Sequence, residues 1–143
     1  MKAIDIIKKY PKVFGTPPYD PRYNLLCFGF ECGKGWYPLI DKLANDINNI
    51  VERDNIEFQV TQVKEKFGSL RFYYDGGNQD IQDLVSKAES DSYITCERCG
   101  APGTLRKEGW YEVRCDECYN KSKIILEDYD DLPITQDTKE EGI

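Results

Sequence analysis

The sequence predicts an α+β fold: a helix, β-hairpin, helix body followed by a C-terminal four-cysteine zinc ribbon. Three observations predict it. Apolar residues recur at three- and four-residue steps over residues 38–51, apolar and polar residues alternate through 56–74, and two C-x-x-C pairs, Cys96/Cys99 and Cys115/Cys118, stand fifteen residues apart. The first pattern belongs to a helix with one buried face, the second to paired strands and the third to a four-thiolate metal site.

Residues 2–10 carry Ile4, Ile6 and Ile7 as a short amphipathic helix that stops at Pro11. Residues 11–24 set Pro11, Pro17, Pro18 and Pro21 among Phe14, Tyr19 and Tyr23, which predicts an extended loop held to the surface by aromatic contacts. The apolar run at 25–30 reads as buried, either a short strand or a turn of helix, because periodicity does not choose between them. Cys27 sits among Leu25, Leu26 and Phe28 as a small core residue, while Cys32 beside Gly33-Lys34-Gly35 reads as more exposed. Their C-x4-C spacing is loose for a second metal site, for which carboxylates such as Glu31 would have to supply the remaining ligands.

Pro38 is acceptable in a first helical turn, and Leu39, Ile40, Leu43, Ile47, Ile50 and Val51 then mark one face over more than three turns. Trp36 and Tyr37, just ahead, read as a staple against the same core, with an exposed Trp36 anchoring a partner as the alternative. Next, Phe58 and Val60 alternate with polar neighbours, a turn falls at residues 66–69, and Leu70, Phe72 and Tyr74 alternate with Arg71 and Tyr73. Gly76-Gly77 is a turn rather than a phosphate loop, and residues 80–90 carry Ile81, Leu84, Val85 and Ala88 as a second amphipathic helix leading to Cys96. Between the cysteine pairs, Ala101-Pro102-Gly103-Thr104 is a turn, and residues 105–114 form a two-stranded hairpin around Gly109. The domains expected are thus a body at 1–95 with a Pro/Tyr-rich N-terminal loop, a ribbon at 96–122 and an acidic tail at 123–143.

Four thiolates close a tetrahedral shell, so the zinc expected at Cys96, Cys99, Cys115 and Cys118 is structural. A redox dithiol would need only one pair. The chain has no histidine, which removes the Ser-His-Asp and Cys-His nucleophile pairs and the imidazole general base, and no carboxylate pair stands out among 26 acids. An enzyme is therefore not expected. The net charge of −7 is concentrated: residues 127–143 hold seven acids against Lys139, a net −6, which leaves −1 for residues 1–126. A nearly neutral body cannot rely on bulk attraction to a polyphosphate, although a local basic patch remains open to it. No run of eighteen apolar residues exists, so the chain is expected to be soluble and cytosolic, with no membrane contact.

The blocks Gly35-Trp36-Tyr37-Pro38-Leu39-Ile40, residues 62–73 centred on Lys66-Phe67-Gly68-Ser69, Ala88-Glu89, Cys96-Glu97-Arg98-Cys99-Gly100 with Pro102-Gly103, Gly109-Trp110, and Cys115-Asp116-Glu117-Cys118 occur in that order. Over residues 25–120 the chain resembles a family of small, uncharacterised zinc-ribbon proteins of bacteriophages and prophages. The resemblance implies a phage accessory protein in the bacterial cytosol. On it rests the expected function, a noncatalytic protein that binds an unidentified host protein as an inhibitor of a bacterial defence system. The alternative is a nucleic-acid or nucleotide binder. It would use Lys64, Lys66, Arg71 and Tyr73 on the hairpin, where cations and rings interleave, and Arg98, Arg106 and Arg114 on the ribbon.

Overall fold

The computed structural model describes residues 1–121, so the expected acidic tail lies outside the described residues. Two helices open the chain, α1 (Ala3–Lys9) and α2 (Pro11–Phe14). Pro11 does not begin an extended connector as expected. It occupies the first position of α2, where its missing N–H costs nothing and its fixed φ favours the turn. Only the rest of the Pro-rich segment is loop, and of its aromatics Phe14 and Tyr19 are buried while Tyr23 is exposed. The Tyr19 hydroxyl donates to the Phe14 carbonyl at 2.8 Å.

The apolar run at 25–30 is both of the things it could be: a 3-10 turn (Leu25–Phe28) followed by a two-residue strand, β1 (Phe30–Glu31). A second 3-10 turn (Lys34–Trp36) feeds the long helix α3 (Tyr37–Asp54), whose buried face is Ile40, Leu43, Ala44, Ile47 and Val51. The hairpin follows as β2 (Phe58–Lys66) and β3 (Ser69–Gly76). The sheet order is β1-β2-β3, with β1 parallel and β3 antiparallel to β2.

A bulge between Val60 and Gln62 turns Val60 and Val63 to the same buried face, which a strict two-residue alternation would forbid. The ladder is broken there, and the Val60 carbonyl accepts from Asn24 Nδ2 at 3.0 Å and Gln59 Nε2 at 2.8 Å instead. Phe14, Phe30, Phe72 and Tyr37 meet beneath the sheet with ring centroids 5.5 to 6.5 Å apart.

Helix α4 (Gln79–Ser92) starts at Asn78, whose side chain accepts from the Ile81 amide at 3.0 Å. It lies along the outer edge of β3, and its side chains take the edge amides: Leu70 N–H donates to Ser92 Oγ and Phe72 N–H to a Glu89 carboxylate oxygen, each at 2.9 Å. Burial raises the Glu89 carboxyl above its usual range, opposed by that amide and by Arg71.

The β2–β3 turn is Phe67-Gly68, with φ of +54° and +91°, the two-residue geometry that matches strand twist. Phenylalanine in the left-handed region costs about 1 kcal/mol relative to glycine or asparagine. Two further expectations are corrected by packing. Cys32 is fully buried, because Gly33 and Gly35 lie against a neighbouring loop rather than in solvent. Trp36 is also fully buried, so it is the staple and not a partner's anchor. Among the described residues no helix is long and apolar enough to cross a membrane.

Candidate metal centre

After α4 the chain makes a first cysteine turn, then β4 (Thr104–Arg106) and β5 (Glu112–Arg114), paired antiparallel, and a short helix α5 (Asp116–Lys121) that carries Cys118. The first turn is closed by its own backbone: Cys96 N–H donates to the Ala101 carbonyl at 2.7 Å and Gly100 N–H to the Cys96 carbonyl at 2.9 Å. Gly100 has φ +85°, a conformation that side-chain-bearing residues rarely hold. Glu97 N–H donates to the Val113 carbonyl at 2.9 Å, which ties this turn to β5 and so brings Cys115 opposite Cys99.

All four sulfurs lie within 4.8 Å of one another. Zinc–sulfur bonds of about 2.3 Å in a tetrahedron separate sulfurs by roughly 3.8 Å, and Cys99 Sγ stands 3.7 Å from Cys115 Sγ. The donor set therefore fits one structural zinc ion. Amides already point at the sulfurs, Ala101 N–H toward Cys99 at 3.5 Å and Cys118 N–H toward Cys115 at 3.4 Å, an arrangement that stabilises thiolate. Burial pushes the Cys96 thiol up, but the backbone amides of Cys99, Cys115 and Arg98 outweigh it and hold the thiol down at about 7. Burial and the facing sulfurs of Cys115 and Cys99 push Cys118 up to about 12. With four thiolates in place no coordination position is left for water or substrate.

The centre is seated on the body by backbone. Gly33 N–H donates to a Glu97 carboxylate oxygen and Gly35 N–H to the Glu97 carbonyl, both at 2.8 Å, and Trp36 Nε1 donates to the Thr95 carbonyl at 2.8 Å. A Cβ added to Gly35 would stand 2.3 Å from the Cys96 carbonyl oxygen. A larger residue at either glycine would lift the cysteine turn off the start of α3.

The remaining candidate residues divide. Lys64, Lys66 and Tyr73 line one open groove of about 560 Å³, completed by Arg22 and Tyr23 from the N-terminal loop, a pairing that sequence separation hides. Arg71 faces Lys64 across the strands and donates to Ser69 Oγ at 3.2 Å. The ribbon arginines do not join that groove. Arg106 donates to the Arg114 carbonyl at 2.9 Å and to Asp116 at 2.9 Å and lies 4.5 Å over the Tyr119 ring. Arg114 is buried and paired with Glu112 at 3.1 Å. Arg98 is half-buried beside Cys99. Sequence reasoning missed Phe67, Trp110 and Tyr111, which are exposed at the tips of the two hairpins. The available signal was a bulky residue before glycine in a two-residue turn.

Comparison with curated proteins finds SAGA-associated factor 11 from one strain of Saccharomyces cerevisiae, 32% identical over 85 residues that cover 53% of this chain and 86% of the relative. A SAGA complex subunit from another strain of the same yeast is 33% identical over the same shares. No family model and no solved structure matches. The matches overturn the setting implied by the phage resemblance. The relatives come from a eukaryote, so the phage accessory protein, the inhibitor of bacterial defence and the bacterial cytosol are withdrawn. The relative is named as a subunit of a protein complex, which overturns the expected partners as well, an unidentified bacterial host protein or a nucleic acid or nucleotide.

Proposed function

This chain belongs to the SAGA-associated factor 11 family, and from that premise we propose that it is a noncatalytic subunit that works by assembling with protein partners in a SAGA-type complex. The observation that carries this reading is the relatedness to a complex subunit across 86% of that relative's length. The four-thiolate donor set supports it, because a closed shell gives a metal a bracing role rather than a Lewis-acid one. The absence of histidine from the chain removes the commonest general base. In this reading Cys96, Cys99, Cys115 and Cys118 hold the zinc, and the zinc holds the ribbon against the body so that one continuous surface is presented.

The test is recovery of the affinity-tagged chain from Saccharomyces cerevisiae, with its partners identified by mass spectrometry. SAGA subunits should copurify in stoichiometric yield, and a double variant, Cys99→Ser with Cys115→Ser, should lose them. Recovery of the chain alone, or equal recovery of partners with the double variant, would overturn the reading.

A further inference from the structure

The β2–β3 turn and the loop between β4 and β5 come together around an open groove of about 700 Å³, lined by Glu65, Lys66, Phe67, Gly109, Trp110 and Tyr111. Three rings reach solvent there: Phe67 is 67% exposed, Trp110 81% and Tyr111 43%. The core does not explain them. Phe67 holds a left-handed backbone that glycine or asparagine would hold with less strain, and it stays mostly in solvent. The two turns approach each other closely, since a Cβ on Gly68 would stand 2.6 Å from Leu105 Cδ1 and 3.5 Å from the Glu112 backbone of the ribbon. The metal-held ribbon thus sets where Trp110 lies relative to Phe67.

We propose that this groove docks a short proline-rich segment of a partner protein in the polyproline II conformation. The inference rests on the assembly reading above and deepens it. Size comes first: the exposed ring surface is roughly 400 Å², about half of what each side of a stable protein interface contributes. A short segment matches that area, whereas a globular face or a second copy of the chain needs more. Charge comes second. Glu65 and Lys66 both line the groove and offset each other, so it selects neither a polyanion nor a cation. A methylated ammonium is disfavoured further, because Lys66 Nζ already lies 5.7 Å from the Phe67 ring centroid.

Hydrogen bonding comes third. Among the described residues neither the Trp110 indole N–H nor the Tyr111 hydroxyl has a hydrogen-bond partner. Proline-rich backbone offers carbonyl acceptors without N–H donors of its own, and its pyrrolidine faces stack on aromatic rings. It is also extended before binding, so little chain entropy is lost on docking.

The test titrates blocked decaproline into the zinc-loaded 143-residue chain, reading Trp110 fluorescence and the amide shifts of isotope-labelled protein; Trp36 is buried and serves as the internal reference. A blocked helical Ala/Glu/Lys peptide and an oligothymidylate form parallel arms. Decaproline should bind saturably, with shifts confined to residues 65–68 and 105–112. Binding should weaken by about tenfold or more in Trp110→Ala and in Phe67→Asn, and should be unchanged in Tyr23→Ala, which belongs to the other groove. Trp110 is the most exposed of the three rings, so its truncation leaves the fold intact. No saturable change up to millimolar decaproline, equal binding by Trp110→Ala, stronger binding of the helical peptide or the oligonucleotide, or self-association through Trp110 would each overturn the inference. If decaproline fails while SAGA subunits still copurify, this inference alone falls. If decaproline binds and no complex is recovered, the subunit reading alone falls.

Discussion

Gly33 lies hard against Glu97: its amide donates to the Glu97 carboxylate at 2.8 Å, and a Cβ on Gly33 would stand 2.4 Å from the Glu97 carbonyl oxygen. The residue inside the first zinc turn therefore meets the approach to α3 at backbone distance, and its own carboxylate closes the contact. The ribbon is not a satellite on a flexible tether but is built into the wall of the body.

Replacing Gly35 tests that seat. A Cβ there would stand 2.3 Å from the Cys96 carbonyl oxygen, and backbone cannot swing aside as a side chain can. Gly35→Ala should cost about 3 kcal/mol, read as a lower denaturant midpoint with unchanged m-value. A variant as stable as the parent would show that the turn is not seated there.

Glu97 is buried, and its carboxylate accepts the Gly33 amide. Glu97→Ala should destabilise by about 2 kcal/mol by leaving that donor unpaired in a dry site, while Glu97→Gln, which keeps an acceptor oxygen, should lose less. Equal losses in the two variants would place the effect in the carboxylate's charge rather than in an acceptor oxygen for Gly33.

Zinc removal should unseat both turns, because the ribbon buries too little apolar surface to hold itself. A chelator should render Cys99 and Cys115 reactive to a thiol reagent first and alter the near-ultraviolet signal of Trp36, whose indole donates to Thr95 beside the first ligand. Unchanged thiol reactivity after complete metal loss would contradict this.

Tyr19 gives an alkaline dependence. Its burial raises the hydroxyl's pKa well above the ordinary value of 10.0. Below about pH 10 both folded and unfolded chains keep the proton, so the group's stabilisation is fully present. Above that the unfolded chain ionises while the folded one does not, and stability falls by up to about 1.4 kcal/mol per pH unit. Tyr19→Phe should flatten this limb while losing about 1 kcal/mol at neutral pH with the bond to the Phe14 carbonyl. An unchanged alkaline slope would assign it to other tyrosines.

Phe67→Asn should raise stability by about 1 kcal/mol, since asparagine accepts the left-handed backbone that phenylalanine resists. Stability that fell instead would mean that the exposed ring packs in a way its exposure hides.

Much of this was legible in the sequence. The three- and four-residue spacing of Ile40, Leu43 and Ile47 placed α3, and the cysteine spacing located a metal centre whose sulfurs do converge. What was lost depended on contacts between distant residues. An exposed Cys32 was expected from the glycines beside it, yet those glycines are there to admit Glu97, 64 residues beyond Gly33. The bulge at Val60/Gln62 breaks the alternation from which the strand was read. Pro11 marks both the end of one helix and the start of the next, a choice that Phe14 decides by packing on Phe30 and Phe72. No local pattern brings Phe67 to Trp110, because two turns of ordinary length meet only once the ribbon has folded.

The way α4 closes the sheet limits how this protein can join others. Ser92 and Glu89 occupy the amides of Leu70 and Phe72, and on the opposite side β1 is two residues long before the chain turns to Gly33 and Gly35. Neither margin can template an added strand. Partners that meet the body at this sheet must therefore do so through side-chain surfaces, which leaves the two-stranded sheet of the ribbon as the place among the described residues where backbone edges stay uncapped by α4.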